Sequence, residues 1–313
     1  MKVLVTGGAG FIGSHLCEAL IEQGHGVVAI DNLLLGRREH LAHLLPHPDF
    51  AFDRQDLLDV DALRQMFQRE AFEAVFHLAA NSDIQTSGED PSRDLQLTFM
   101  TTYHVLLCMR EYGVKPLVFS SSSAIYGELP TPLREDTGPL FPISHYGAAK
   151  LASEAFIASW CAQYGFQAWI FRFPNVVGER ATHGVLVDLL DKLARNPHEL
   201  EVLGDGTQQK PYLYVTDVVQ AMLFTWQRAR EPLNCFNIGV EGGTKVSTIV
   251  EMILRELRVQ PKIVYTGGRG GWPGDVPIVH YDTTKLRKLG WMAHYTSDEA
   301  VELAVKKLPT GRR

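Results

Sequence analysis

The chain has 313 residues, of which 45 % are hydrophobic and 21 % are charged, as in ordinary globular proteins. This composition excludes a disordered, collagen-like or coiled-coil chain, and the formal net charge of −6 argues against nucleic acid as a partner. No apolar run approaches the roughly 18 residues of a membrane span, so we expect no membrane partner.

The cysteines and the N-terminal residues favour a cytoplasmic location. Cys17, Cys108, Cys161 and Cys235 are scattered without a CxxC pair, which is typical of reduced thiols rather than of a disulfide framework. Met1 and Lys2 are followed directly by the apolar run Val3–Val5, a predicted strand, which leaves no room for a signal peptide. We therefore expect a cytoplasmic protein.

Short β-branched runs alternate with longer amphipathic stretches through the first half of the chain. The predicted strands are Lys2–Thr6, Gly26–Ile30, Phe50–Arg54, Ala74–Leu78, Leu117–Ser120 and Gln167–Arg172. The predicted helices are Ile12–Glu22, Val60–Gln68, Asp94–Tyr112 and Tyr146–Tyr164. Such alternation predicts an α/β fold whose parallel sheet carries helices on both faces and gathers ligands at the carboxyl ends of its strands.

After about Phe173 the pattern changes to helices that are joined by Gly- and Pro-rich loops. The predicted helices there are Leu186–Arg195, Val215–Gln227, Val246–Arg258 and Ser297–Lys307. We therefore predict a sheet domain over residues 1–173, to which some later segments return. Residues 174–313 are predicted to form a smaller lobe that binds the substrate.

A glycine-rich turn follows the first predicted strand and opens the first predicted helix. Gly8-x-Gly10-x-x-Gly13 fits the dinucleotide fingerprint, in which the glycines let the backbone approach a pyrophosphate at the helix N-terminus. Asp31 ends the second strand, where a carboxylate can accept hydrogen bonds from both ribose hydroxyls and repels a 2′-phosphate. These features predict NAD rather than NADP as the cofactor.

Two further strand ends add to the predicted dinucleotide site. Asp56 and Leu57 follow the third strand and would cap the adenine edge; the less favoured alternative for Asp56 is an ordinary acid at a helix start. Leu78–Ala80 follow the fourth strand and are small enough to let the backbone lie against the cofactor.

A serine run and a Tyr-x-x-x-Lys motif lie at strand ends on the same edge of the predicted sheet. The fifth strand runs into Ser120–Ser123, and Tyr146 and Lys150 share one face of the helix that follows. A phenol has a pKa of about 10, so acting as a base at neutral pH requires a depression of roughly 3 units. The Lys150 ammonium and a positive nicotinamide ring are the physical means, and a serine hydroxyl would complete the hydrogen bond to the substrate.

Taken in this order, the motifs resemble those of the extended short-chain dehydrogenase/reductases, in particular the NAD-dependent epimerase/dehydratase family. The resemblance extends over essentially the whole chain and is strongest toward the UDP-hexose 4-epimerases. The segments that carry it are Gly7–Gly13, His77–Ala80, Ser120–Gly127, Tyr146–Lys150, Arg172–Gly178, Leu203–Gly206 and Gly274–Val276.

The resemblance implies a Rossmann-type, doubly wound parallel sheet with a smaller C-terminal substrate-binding lobe, NAD as cofactor and a nucleotide sugar, a UDP-hexose, as substrate. It also implies a homodimer formed through the helices predicted at Asp94–Tyr112 and Tyr146–Tyr164. In the catalytic site it implies Tyr146 as the base, Lys150 as the residue that tunes it, and Ser122 as the hydroxyl partner.

The candidate ligand-binding residues lie in the glycine-rich turn, at the strand ends and in the C-terminal lobe. Those for the cofactor are Gly7, Gly10, Phe11, Ile12, Gly13, Asp31, Asn32, Asp56, Leu57, Leu78, Ala79, Ala80, Ser120, Tyr146, Lys150 and Phe173. Those for the substrate are Ser87, Ser122, Ser123, Tyr146, Asn175, Val185, Lys210 and Arg269. Asn175 matches the family's asparagine near the diphosphate, and Lys210 and Arg269 are phosphate candidates whose alternative is a solvated surface position.

The type of reaction follows from the residues after the serine hydroxyl. Dehydratases of the family carry an Asp-Glu pair there, whereas this chain has Ser123 and Ala124, which cannot supply the acid and base of an elimination. Transient oxidation at C4 to a 4-keto sugar, followed by reduction on the other face, fits best. The alternatives are a UDP-uronate or other nucleotide-sugar epimerase, a dehydratase, and a catalytically silent NAD-binding protein. A silent relative would be free to lose Ser122, Tyr146 and Lys150.

Two positions depart from the family pattern. Thr98 stands where the family has an asparagine that steadies the backbone near the cofactor, and Pro174 replaces the phenylalanine before Asn175. These departures put the family's cofactor affinity and sugar preference in question for this chain. The histidines at 40, 43 and 47 lack an acidic partner and a fixing element, so we predict no metal site.

Overall fold

The computed structural model describes residues 1–82, 90–268, 270–271 and 276–307. Its strands are β1 (Lys2–Thr6), β2 (Gly26–Asp31), β3 (Phe50–Arg54), β4 (Ala74–His77), β5 (Pro116–Ser122), β6 (Gln167–Phe173), β7 (Asn175–Val177), β8 (Glu199–Val202), β9 (Gln209–Lys210), β10 (Tyr212–Tyr214), β11 (Leu233–Asn237), β12 (Thr244–Lys245) and β13 (Lys262–Tyr265). Its α-helices are α1 (Phe11–Glu22), α2 (Val60–Glu70), α3 (Pro91–Asp94), α4 (Thr101–Glu111), α5 (His145–Tyr164), α6 (Val185–Arg195), α7 (Val215–Arg228), α8 (Val246–Leu257), α9 (Thr284–Lys288) and α10 (Ser297–Lys307).

The main sheet has seven strands in the order β11-β6-β5-β4-β1-β2-β3. Strands β1 to β6 pair in parallel, because crossover connections between them let every strand start at the same end of the sheet. Strand β4 is buried throughout, as expected for a sheet covered on both faces. The predicted doubly wound sheet is therefore confirmed, and the strand order reverses between β1 and β4, where such sheets bind ligands.

Two elements differ from the sequence prediction. The helix predicted at Asp94–Tyr112 is confirmed as a continuous helical run, but its turn at Leu95–Met100 is π-helical and separates α3 from α4. The Thr102 hydroxyl donates a hydrogen bond to the carbonyl of Thr98 at 2.7 Å within this widened turn. The seventh strand, β11, was not predicted as part of the main sheet.

The chain divides into two compact units. The first consists of Met1–Gly127, Gly138–Phe173 and Val219–Phe236, and the second of Glu128–Thr137, Pro174–Val218 and Asn237–Arg313. Within the second unit, short two-stranded sheets join β7 to β10, β8 to β13 and β9 to β12.

Within the described part of the chain, no helix has the length and apolar character needed to cross a membrane.

Candidate active site

The turn between β1 and α1 fits closely against the end of β4. Gly7 has a φ of +68°, and a Cβ there would lie 2.8 Å from the backbone nitrogen of Ala79. A Cβ on Gly13 would lie 2.1 Å from the Gly7 carbonyl oxygen. Only glycine fits these positions, so the backbone itself forms the surface at the start of α1, where helix N–H groups favour phosphate.

Asp31 is held in place by the same turn. Its half-buried carboxylate accepts hydrogen bonds from the N–H groups of Ala9, at 3.1 Å, and Leu33, at 2.8 Å. Burial raises the pKa of Asp31, while these two hydrogen bonds lower it. A Cβ on Gly36 would lie 2.7 Å from a carboxylate oxygen, so this flank also admits only backbone. A carboxylate fixed at the end of β2 suits the ribose hydroxyls of NAD.

Asn32, the residue after Asp31, contacts Asp56, which was predicted to lie at the adenine edge. The Asn32 amide donates to the Asp56 carboxylate at 3.2 Å. Asp56 also accepts from the N–H of Leu58 at 2.9 Å, whereas α2 is capped by Asp59, whose side chain accepts from the N–H of Ala62. Leu57 is buried, and its carbonyl oxygen contacts a ring nitrogen of His104 at 2.8 Å.

The buried side chain of His77 is hydrogen-bonded to Thr6 at the end of β1 and to Thr102 on α4. The Thr6 hydroxyl oxygen accepts hydrogen bonds from the N–H groups of Leu78 and Ala79, each at 3.2 Å. Its proton is therefore directed to Nδ1 of His77, 2.7 Å away. Nε2–H of His77 then donates to the Thr102 hydroxyl at 3.0 Å. Burial, with the charge of Lys150, lowers the pKa of His77 to about 3, so the ring is neutral.

Ser122 and Tyr146 meet where β5 ends and α5 begins. The Ser122 hydroxyl accepts a hydrogen bond from the N–H of Ala124 at 3.2 Å, and so begins a 3₁₀ turn. The Tyr146 hydroxyl is hydrogen-bonded to the Ser122 side chain. A Cβ on Gly147 would lie 2.5 Å from the Ala124 carbonyl oxygen, so the 3₁₀ turn packs directly against the start of the helix.

Lys150 lies beneath Tyr146 on the same face of α5. Its side chain is buried, and Nζ donates to the carbonyl oxygen of Ser120 at 2.6 Å and lies 5.8 Å from the centroid of the Tyr146 ring. Burial lowers the pKa of Lys150 to about 7, and the carboxylates of Glu154 and Asp94 oppose that shift. The amine is thus fixed and poised between its charged and neutral forms near neutral pH.

The environment that the protein alone provides keeps the Tyr146 phenol protonated. Burial raises the pKa of Tyr146 to about 12, the Ser122 hydroxyl lowers it, and the Asp94 carboxylate raises it further. The lowering of the Tyr146 pKa that was expected from Lys150 is therefore absent in the chain without its cofactor. A positive charge beside the phenol, such as that of a nicotinamide ring, is needed before this phenol can serve as a base at neutral pH.

The comparisons with known proteins agree on one family. The model of the NAD dependent epimerase/dehydratase family matches residues 3–239. The chain belongs to this family.

Relatives and solved structures are similar along nearly the whole chain. UDP-arabinose 4-epimerase 1 of Arabidopsis thaliana is 34 % identical, and the match covers 96 % of this chain and 78 % of that protein. The structure of UDP-glucose 4-epimerase from Thermotoga maritima with UDP-glucose is 34 % identical with a TM-score of 0.88, and covers 98 % of each chain. The Thermus thermophilus UDP-glucose 4-epimerase complex with NAD is 31 % identical, with a TM-score of 0.86 and 98 % of each chain covered.

These findings confirm the predicted family, fold class and cofactor. In this epimerase/dehydratase, the glycine turn and the fixed carboxylate of Asp31 have the shape and donor set that NAD requires. Phe11 and Ile12 are half-buried at the start of α1, and Ala80 is half-buried just after β4. Phe173 is buried at the end of β6, where it is the register partner of Ser122.

The other predicted substrate residues are divided between the two units. Ser123 lies next to Ser122 in the first unit and is half-buried. Asn175, Val185 and Lys210 belong to the second unit, on β7, at the start of α6 and on β9. Asn175 is exposed, whereas Val185 and Lys210 are half-buried. Ser87 and Arg269 lie outside the described residues.

Sequence reasoning gave no role to three charged or titratable residues that the structure places near the catalytic side chains. They are Asp94, Glu154 and His77, all buried in the first unit. A usable signal existed for Glu154, because it follows Lys150 by four residues and so shares its helix face. The neighbours of Asp94 and His77 come from distant segments, which no local pattern reveals.

Proposed function

We propose that this protein catalyses the NAD-dependent 4-epimerisation of a UDP-hexose and interconverts UDP-glucose and UDP-galactose. The arrangement of Ser122, Tyr146 and Lys150 at the carboxyl edge of the sheet carries this proposal. The relatives, which include UDP-glucose and UDP-arabinose 4-epimerases, support a reaction at C4.

The three residues divide the proton chemistry among them. Tyr146 takes the proton of the C4 hydroxyl and later returns it, while Ser122 holds the same oxygen by a hydrogen bond. Lys150, fixed by the Ser120 carbonyl, supplies positive charge beneath the phenol. The glycine turn and Asp31 would hold NAD, which would supply a hydride acceptor for C4 and, once reduced to NADH, the donor of the returning hydride.

The residues after Ser122 argue against elimination of water. Ser123 and Ala124 stand where a dehydratase needs a carboxylic acid and a carboxylate, and neither side chain titrates near neutral pH. The 4-keto sugar would therefore remain intact until it is reduced. This supports an isomerase over a lyase, and the complete Ser122, Tyr146 and Lys150 set supports an enzyme over a silent NAD-binding protein.

The remaining candidate substrate residues are proposed to hold the nucleotide diphosphate and the sugar. Asn175 and Lys210 lie close in the second unit, since Asn175 pairs with Tyr212 and Lys210 precedes that residue by two positions. An amide and an ammonium suit a diphosphate. Ser87, Ser123, Val185 and Arg269 complete the proposed set.

The sugar is identified by incubating the NAD-loaded protein separately with four UDP sugars and following the anomeric protons by NMR. The four are UDP-galactose, UDP-N-acetylgalactosamine, UDP-galacturonate and UDP-arabinose. We expect the gluco anomer to appear from UDP-galactose without accumulation of NADH. Conversion of UDP-galacturonate or UDP-arabinose alone would replace the hexose assignment, and no conversion of any of the four would overturn the proposal.

We further propose a cytoplasmic homodimer that forms through the helices of the first unit. Leu95 and Phe156 expose 50 % and 39 % of their surface, and Phe156 packs edge-to-face against Phe99 and Tyr103. An exposed aromatic cluster of this kind supports burial against a second copy. Within the described residues none of the four cysteines forms a disulfide, and three of them are buried, which supports a reducing compartment.

A further inference from the structure

A buried ion pair between Arg172 and Glu154 contacts the serine run next to Ser122. Arg172 and Glu154 each expose only 8 % of their side chains, and their closest nitrogen and oxygen atoms are 2.8 Å apart. A second bond, from Nε of Arg172 to Glu154, measures 3.1 Å. Because burying two charges is costly, such a pair is retained where a specific geometry or charge is useful.

The pair connects three segments of the candidate active site. Ser121 is the register partner of Arg172 between β5 and β6, and its hydroxyl donates to Glu154 at 2.5 Å. Arg172 also donates to the hydroxyl of Tyr126 at 2.8 Å. Ser121 and Tyr126 lie on either side of Ser122–Ala124, so both ends of the segment that presents the Ser122 hydroxyl are held.

Glu154 also lies one helical turn beyond Lys150 on α5. Tyr146, Lys150 and Glu154 are spaced at i, i+4 and i+8, so they share one helix face. The Glu154 carboxylate raises the pKa of Lys150 against the effect of burial. The same side chain therefore contacts the serine segment and acts electrostatically on the amine beneath the catalytic phenol.

We propose that the Glu154–Arg172 pair is a positioning device for the reaction. It fixes Ser122 opposite Tyr146, and it gives Lys150 a counter-charge one turn away. Glu154 and Arg172 are positioning residues rather than catalytic ones, because they act through Ser122 and Lys150. The catalytic part of this inference rests on the proposed epimerase function.

The charged and titratable groups around Lys150 come from every element packed against it. Glu154 and Tyr146 lie on its own helix, Asp94 ends α3, and His77 ends β4. Ser120 of β5 contributes only a carbonyl oxygen. His77 is neutral, so among the residues that the structure describes the carboxylates of Glu154 and Asp94 are the groups that favour the charged amine. Glu154→Gln removes one of these charges and keeps the shape of the side chain.

The charge effect is tested by NMR of protein labelled at lysine Cε, without any sugar substrate. Lys150→Met assigns the Lys150 signal, and its titration midpoint is compared between variants. Glu154→Gln is expected to lower that midpoint by about one pH unit, because the counter-charge is removed while the amide still accepts hydrogen bonds. Arg172→Gln is expected to raise it. Glu111→Gln, which removes an exposed carboxylate paired with Arg64, is the matched control and should leave it unchanged.

The positioning effect is tested by kinetics with UDP-galactose. Ser121→Ala removes the bond to Glu154 but no charge, so we expect kcat to fall about tenfold with KM and the Lys150 midpoint unchanged. Glu154→Gln should lower kcat and move the alkaline limb of its pH profile to lower pH. Glu154→Asp, which keeps the charge, should restore the Lys150 midpoint.

The lysine titration decides the charge assignment even if UDP-galactose is not a substrate, so failure of the two proposals can be distinguished. An unchanged Lys150 midpoint in Glu154→Gln would overturn the counter-charge role. If that variant does not fold, an unchanged midpoint in Arg172→Gln would overturn that role instead. Wild-type kcat in Ser121→Ala would overturn the positioning of Ser122.

Discussion

Tyr146 depends on its surroundings for its proton affinity, because burial, aided by Asp94 and opposed by Ser122, raises its pKa to about 12. Replacing it with phenylalanine removes the only atom that takes the substrate proton in the proposed reaction. We expect Tyr146→Phe to lower kcat by about 10²–10⁴-fold, the usual contribution of a general base. Initial rates with UDP-galactose measure this.

Tyr164 provides the matched control for that substitution. It lies at the other end of α5, and Tyr164→Phe likewise removes one phenol hydroxyl from the same helix. Its rate should equal that of the wild type. Equal rates for Tyr146→Phe and Tyr164→Phe would contradict the assignment of the base.

His77 is predicted to keep a single neutral tautomer, because the Thr6 hydroxyl has both acceptor sites filled and must donate to Nδ1. Imidazole ¹⁵N shifts should show protonated Nε2 and unprotonated Nδ1 from pH 5 to 9. A His77 signal that titrates within this range, or a protonated Nδ1, would contradict the hydrogen-bond chain.

The same residue makes folding sensitive to acid. The unfolded chain takes up a proton at His77 below about pH 6.5, whereas the folded chain does so only near pH 3, so stability falls as the pH falls between these values. The loss is roughly 1.4 kcal/mol per pH unit for one group. Urea unfolding at pH 5 and 7 should therefore show a smaller difference for His77→Gln than for the wild type. His43→Gln, an exposed histidine variant, should keep the wild-type difference.

At the level of elements, the close contact between Gly13 and the Gly7 carbonyl within the β1–α1 turn can be tested by substitution. A Cβ at Gly13 would lie 2.1 Å from a carbonyl oxygen, whereas a Cβ at Gly26 would have no neighbour closer than 3.9 Å. Gly13→Ala should destabilise the fold by about 1–3 kcal/mol and weaken NAD binding, as overpacking of a tight contact does. NADH fluorescence titration and urea unfolding measure both effects.

Gly26→Ala is the control, since it adds the same methyl group at a strand start with space around it. It should bind NADH as the wild type does. Equal NADH affinity in Gly13→Ala and the wild type would show that the turn does not need its glycine for the cofactor.

Sequence patterns predicted the elements that repeat a simple period and missed those that depend on tertiary contacts. Strands β1 to β6 each contain at least three consecutive apolar residues, and their bounds were predicted to within two residues. The π-helical turn within the helix predicted at Asp94–Tyr112 was not predicted, and threonine hydroxyls there donate to backbone carbonyls. Strand β11 carries polar residues such as Asn234, whose amide binds the carbonyl of Ala168 only once the sheet has formed.

The candidate site shows the same division. Tyr146 and Lys150 share a helix face, so their proximity follows from spacing alone. The ion pair of Arg172 with Glu154 joins a strand to a helix 18 residues away in sequence, and only the sheet register reveals it. The raised pKa of Tyr146 could not be predicted either, because it depends on burial.

For the whole molecule, the proposed dimer is tested by charging its apolar helix surface. Phe156→Glu should convert a particle of twice the 35.0 kDa chain mass into a monomer, as measured by light scattering on a sizing column. Ile263→Glu charges an exposed apolar residue of β13 in the second unit and should leave the mass unchanged. A monomeric wild type, or a dimeric Phe156→Glu, would contradict the proposed interface.

The most direct test of the central claim is the conversion of UDP-galactose by the NAD-loaded protein in D₂O, followed by proton NMR. Oxidation and reduction at one carbon predict that UDP-glucose appears with its original C4 hydrogen, without NADH release, and that Tyr146→Phe abolishes the conversion. Deuterium at C4 or C5 of the product, or undiminished conversion by Tyr146→Phe, would contradict the proposed epimerisation.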